Sequence, residues 1–132
     1  MFSTGLSDGV NDDPKHNGKD QVLSWLTVDP SDGTAYVMFY DRRDDPKNEL
    51  ATVTLARSTN GGRTFTNYAW TVTGTDPRQG FYDDYNGLVA RNGRVFGART
   101  ESVPSPEGAA ALPPAPQTVI RIGMADFRKS EP

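Results

Sequence analysis

The chain has 132 residues, 35% hydrophobic and 10% aromatic, with a formal net charge of −3. That is material for one small domain, and aromatics combined with low charge argue against a disordered chain. A pI near 5.0 without a Lys/Arg cluster lacks the footprint of a nucleic-acid binder. Zero cysteines exclude disulfides, thiolate nucleophiles and cysteine zinc centres.

No apolar run approaches the roughly 20 residues of a membrane-spanning helix. No basic stretch followed by an apolar one opens the sequence as a secretory leader would. The first twenty residues are polar and rich in Gly, Asp and Asn. Gly (13) and Pro (10) then punctuate the chain too often for long helices, and no window carries a capped helical stripe.

Strand signals are much better. Residues 22–28 form a β-branched and aromatic run closed by the turn Asp29-Pro30-Ser31-Asp32-Gly33. Residues 34–40 follow, with Ala35, Val37 and Phe39 on one face and Tyr36, Met38 and Tyr40 on the other. Two apolar faces predict a strand covered on both sides, paired with its predecessor as a hairpin.

A polar loop leads to 50–57, whose period-two pattern predicts a half-buried strand, and Asn60-Gly61-Gly62 supplies a turn to a fourth strand over 64–72. These elements form one antiparallel meander over 21–72. The pattern restarts over 73–126: a strand at 85–90, a turn at Arg91-Asn92-Gly93, a strand at 94–100, a Pro/Ala-rich loop at 103–116 and a strand at 117–126. The second unit is one strand short, and 127–132 read as a frayed tail. The fold class is all-β.

Ser58-Thr59-Asn60-Gly61-Gly62-Arg63-Thr64-Phe65 resembles the Asp-box, or bacterial neuraminidase repeat, with Asn60 in the aspartate position. Val28-Asp29-Pro30 through Tyr40-Asp41-Arg42-Arg43 resembles a strand pair of sialidase-like β-propellers, and Phe81-Tyr82-Asp83-Asp84-Tyr85-Asn86-Gly87-Leu88 the start of their next blade, with Asp83 where Gly is usual. The resemblance implies about two blades of a sialidase-like propeller. Its structural Asp-box residues are Ser58, Asn60, Gly62, Thr64 and Phe65. It also implies an extracytoplasmic origin.

Two blades leave faces that neighbours should cover. The chain is then part of a longer propeller, or copies close head-to-tail, three chains giving six blades.

The resemblance implies a carbohydrate- or anion-binding module or scaffold, the alternative being an exo-sialidase-type glycoside hydrolase completed by other blades or chains. Such hydrolases use a Tyr nucleophile with a Glu partner, an Asp acid/base and an Arg triad. The blade carrying the first of these Arg residues is missing. Glu49 and Glu101 stand at the edges of expected strands and Glu107 and Glu131 in loop or tail. No catalytic residue is assigned and the question of catalysis stays open.

The rim candidates are Asp41, Arg42, Arg43, Asp84 and Tyr85. An Arg there either meets an anionic or sugar ligand, oriented by Asp41, or stitches neighbouring elements together. Asp83 and Asp84 are weak Ca²⁺ candidates beside their alternative role as a strand-start cap, and no cofactor is otherwise implied. Trp25, Trp70, Tyr36, Tyr40 and Tyr68 either stack on sugar rings or fill the core. His16, the sole histidine, lies in a polar loop and argues against a zinc centre or Ser-His-Asp triad.

Overall fold

The computed structural model describes residues 9–71, 74–76, 86–103 and 117–128. Among them there is no helix, and hence none long and apolar enough to cross a membrane. Seven strands occur: β1 (Gln21–Val28), β2 (Ala35–Asp41), β3 (Thr52–Ser58), β4 (Thr66–Ala69), β5 (Gly87–Arg91), β6 (Arg94–Val103) and β7 (Gln117–Asp126). They make two antiparallel sheets, one of four strands in the order β1-β2-β3-β4 and one of three in the order β5-β6-β7. The protein is all-β, as the strand signals predict.

β2 is buried on both faces. Tyr36, Met38 and Tyr40 join Val53 and Leu55 of β3 against Leu88, Ala90 and Val95 of the second sheet, so the main core lies between the sheets. On the opposite face, Val37, Phe39 and Ala56 are covered by Val10 and Phe65. This is why β3 departs from the half-buried expectation: Val10, from the polar N-terminal segment, lies over the face expected to be wet.

Strand-to-strand contact between the sheets runs through β5, against β1 and β2, and Trp70 adds a contact over two glycines of β6 and β7. Gly97 and Gly123 are cross-strand partners in β6 and β7. A Cβ at Gly97 would lie 2.7 Å from Trp70 Cη2, and one at Gly123 would lie 3.0 Å from Trp70 Nε1. The indole rests on a floor that has no side chains, and glycine inside a strand commonly marks such an approach.

Strand ends differ from expectation for local reasons. β4 is shorter than 64–72 because Thr64 is still held in the turn, its N–H donating to Asn60 Oδ1 at 3.0 Å. At its other end the amides of Trp70 and Thr71 both converge on the Val53 carbonyl, which breaks the ladder. β6 extends past Thr100 because Glu101, Ser102 and Val103 continue to pair with β7. In β1 the register slips between Val22 and Trp25, and Leu23 takes a φ of 54°. That bulge re-aims Leu23 onto the main core.

Candidate functional site

The sequence points to the end of β2, and the geometry there is set by Asp41. This residue is 1% exposed. Its carboxylate accepts from Thr54 Oγ1 at 2.9 Å, from the Arg43 amide at 3.0 Å and from Arg43 Nε at 2.6 Å. Arg43 then reaches the N-terminal segment, donating to Asp12, to Asn11 Oδ1 at 3.0 Å and to Asn67 Oδ1 at 3.2 Å. Burial disfavours the charged guanidinium, but Asp12 and Asp41 outweigh it, so the Arg43 pKa is raised.

Arg42 turns to the other side. Its Nη1 donates to Asp20 Oδ2 at 3.0 Å and to the Asn48 carbonyl at 3.2 Å, while its buried Nε has no partner. Asn48 closes the loop by donating to Asp20 at 2.8 Å. Asp41, Arg42 and Arg43 are thus brought together, with both guanidinium groups engaged by acidic residues of this chain. Asp83, Asp84 and Tyr85 lie outside the described residues.

A shallow depression beside this rim is lined by Asp41, Asp44, Asp45, Leu50 and Thr52. Asp45 is already occupied: its carboxylate takes the amides of Leu50 at 2.7 Å and Glu49 at 2.6 Å, and these bonds lower its pKa. Among the described residues, no group of three or more His, Cys, Asp or Glu is placed to hold a metal ion.

Of the aromatic candidates, Tyr36 and Tyr40 are buried while Trp25 and Tyr68 are partly exposed. Tyr40 links the sheets, its hydroxyl donating to the Thr100 carbonyl at 2.5 Å. Tyr36 stacks on Phe127 with ring centroids 5.6 Å apart, and burial raises its pKa against the opposing influence of Arg57.

The Asp-box segment holds itself together. Ser58 Oγ accepts from the Gly62 amide at 2.9 Å, Asn60 Nδ2 donates to Thr64 Oγ1 at 2.7 Å, and Gly61 and Gly62 take positive φ. Asn60 accepts the Thr64 amide as an aspartate would. Phe65 packs on the outer face of the first sheet.

Two polar clusters escape a reading of the sequence. Asp29 looks like an ordinary turn residue, yet it is fully buried between the sheets. Its carboxylate accepts from Ser31 Oγ at 2.6 Å and, across the interface, from the amides of Gly93 at 2.7 Å and Asn92 at 3.1 Å. The Ser31 hydroxyl and then these amides overcome burial and lower its pKa to about 2. Asn92 and Gly93 both have positive φ, the two-residue hairpin geometry that aims consecutive amides at one acceptor.

The second cluster is Arg99, Glu101 and Arg121. Glu101 lies inside β6 rather than at a strand edge. One of its oxygens takes Arg99 Nε and Nη2 at 3.0 and 2.7 Å, and the other takes Arg121 Nε at 3.3 Å. The alternating positions 99 and 101 signal a shared strand face, but only the length of β6 reveals it.

Compared with family models, curated proteins and solved structures, the chain matches none of them. What geometry defines is a two-sheet, all-β protein whose strongest polar sites are joints between its own parts.

Proposed function

We propose that this chain is a non-catalytic scaffold module of sialidase-like propeller type, its two sheets acting as consecutive blades. The observation that carries this reading is the state of the rim arginines. In a site that receives an anionic ligand, a guanidinium presents free donors toward the opening. Here Arg43 commits Nε, Nη1 and Nη2 to Asp41, Asp12, Asn11 and Asn67, while Arg42 Nη1 holds Asp20 and the Asn48 carbonyl and its unpartnered Nε is buried away from the opening. Both serve as ties that fasten the N-terminal segment and the 42–50 loop to the first sheet.

The same assignment suits Glu101. A sialidase-type Glu polarises a Tyr nucleophile, whereas both oxygens of this one are taken by arginines. Meander topology, the self-contained Asp-box turn and face-to-face sheet packing are each compatible with the blade reading.

Turnover of a fluorogenic sialoside and binding on a glycan array, both with the purified chain, test the proposal. It expects neither, together with a cooperative thermal transition. Sialoside hydrolysis, or glycan binding abolished by Arg42→Ala in a folded variant, would contradict it.

A further inference from the structure

The two outer faces of the molecule are unlike. On the first sheet, Val37, Phe39 and Ala56 lie under Val10 and Phe65, and the exposed apolar side chains Leu26 and Val28 are confined to β1. On the second sheet the outward positions follow from the register. Val89, Phe96 and Met124 form one row across the strands and Gly87, Ala98 and Ile122 the next; Ile120 extends the patch along β7, while its partner Thr100 is buried with its hydroxyl against that of Tyr40. Five of these side chains are exposed, from 42% at Phe96 to 78% at Ile122.

We propose that this outer face of β5-β6-β7 is a self-association surface, on which a second copy of the chain seats the same face across a two-fold axis. The inference concerns a different surface from the rim and stands whether or not the rim binds a ligand.

Area is the first argument. The exposed fractions amount to roughly 500 Å² of apolar side chain, near the top of the range for the largest patch on a monomer. Pairing two such patches with their polar margins reaches the roughly 800 Å² per partner of a standard interface. The second argument is the asymmetry between the two outer faces. A head-to-tail stack must set the bare face on one that Val10 and Phe65 already occupy, whereas like-on-like pairing joins two bare faces.

Charge is the third argument. One end of the patch is bounded by the row Arg91, Arg94 and Asp126; at the other end lie the uncharged pair Ser102 and Thr118, the Ser102 hydroxyl tied to the Asp76 carbonyl. A two-fold axis along the Gly87-Ala98-Ile122 row lays the charged row of each copy over the uncharged Ser102-Thr118 end of its partner. No like charges then oppose each other, and Ile122 faces Ile122 of the other copy at the centre. Sheets stacked this way lie about 10 Å apart with nearly aligned strands.

The test is light scattering after size exclusion at tens of micromolar, on the full chain and on two lysine variants. The expected mass is near twice 14.4 kDa. Ile122→Lys puts two charges at the axis and weakens the dimer by about 100-fold or more. Leu26→Lys, on the other outer face, leaves it unchanged. Ile122 is 78% exposed in the single chain, so its lysine variant should melt like the parent. Because the chain has no cysteine, Ile122→Cys offers a single thiol, which a bismaleimide of about 10 Å should link into dimers.

A monomer throughout would overturn the proposal, as would a dimer indifferent to Ile122→Lys. A mass near three times 14.4 kDa with sensitivity to Leu26→Lys would also overturn it, in favour of a head-to-tail ring.

Discussion

Replacing Gly97 with alanine tests one of the contacts that hold the two sheets together. The new methyl would sit 2.7 Å from Trp70 Cη2, 2.9 Å from Cζ3 and 3.2 Å from Met38 Sδ. Carbon atoms rest about 3.5–4.0 Å apart, so the indole must retreat by roughly 1 Å. The ring is rigid, with only two torsions to adjust, and Met38 is itself buried in the main core. Overpacking of this kind costs about 1–3 kcal/mol. Against it, alanine restricts the unfolded chain and returns about 0.4–1 kcal/mol, since Gly97 does not have positive φ.

The net expectation is a loss of about 1–2 kcal/mol, a fall in Tm of roughly 3–10 °C for a domain of this size. Gly123→Ala, whose methyl would first meet the ring at 3.0 Å, should lose less than half as much. Thermal and urea melts of Gly97→Ala, Trp70→Phe and the double variant give the coupling directly. The shorter ring vacates the space the methyl needs, so the double variant should be more stable than the sum of the singles by about 1 kcal/mol. A neutral or stabilising Gly97→Ala, or strict additivity with Trp70→Phe, would refute the close contact.

Three further outcomes are expected. Asp29 has a folded pKa of about 2 against an ordinary 3.8, so its bonds stabilise the fold fully above pH 4 and lose that effect as pH falls through 2. Asp29→Asn should therefore be less stable than the parent at pH 7 and vary less between pH 4 and 2, as read by urea midpoints along a pH series. Tyr40→Phe strips the Thr100 carbonyl of a buried donor and should lower stability by about 1–3 kcal/mol with little change in the m-value. Arg43→Ala leaves the buried Asp41 carboxylate without its cation; a loss of about 3 kcal/mol is expected in chemical denaturation, with amide exchange quickening around Val10 as the tie to Asp12 is released.

The legible parts of this fold are those set by short-range chemistry. The two-sided apolar pattern of 35–40 announces a central strand, Asn92-Gly93 a tight hairpin, and Asn60-Gly61-Gly62 a turn closed by its own side chains. What a one-dimensional reading misses depends on residues far apart in the chain. Asp29 is an ordinary turn aspartate until the β5-β6 hairpin presents two amides to it, more than sixty positions later. Gly97 and Gly123 look like weak points in their strands until Trp70 lies across them.

The rim is legible only from its place at the end of an apolar strand and from the resemblance of that segment. Asp41, Arg42 and Arg43 stand out as a cluster, but whether their donors face a ligand or the chain depends on Asp12, Asp20 and Asn67. Those partners carry no local signal. The N-terminal segment misleads in the same way, since a single apolar residue among polar ones, Val10, joins Phe65 in covering a sheet face.

The central claim is that the two sheets form one unit, packed face to face with Trp70 lying on the Gly97-Gly123 floor. Nuclear Overhauser contacts of the Trp70 indole test it most directly. The account predicts cross-peaks from the indole ring protons to the α-protons of both glycines, with those α-protons shifted upfield by the ring current. Folded sheets in which neither glycine shows a contact with Trp70 would contradict it.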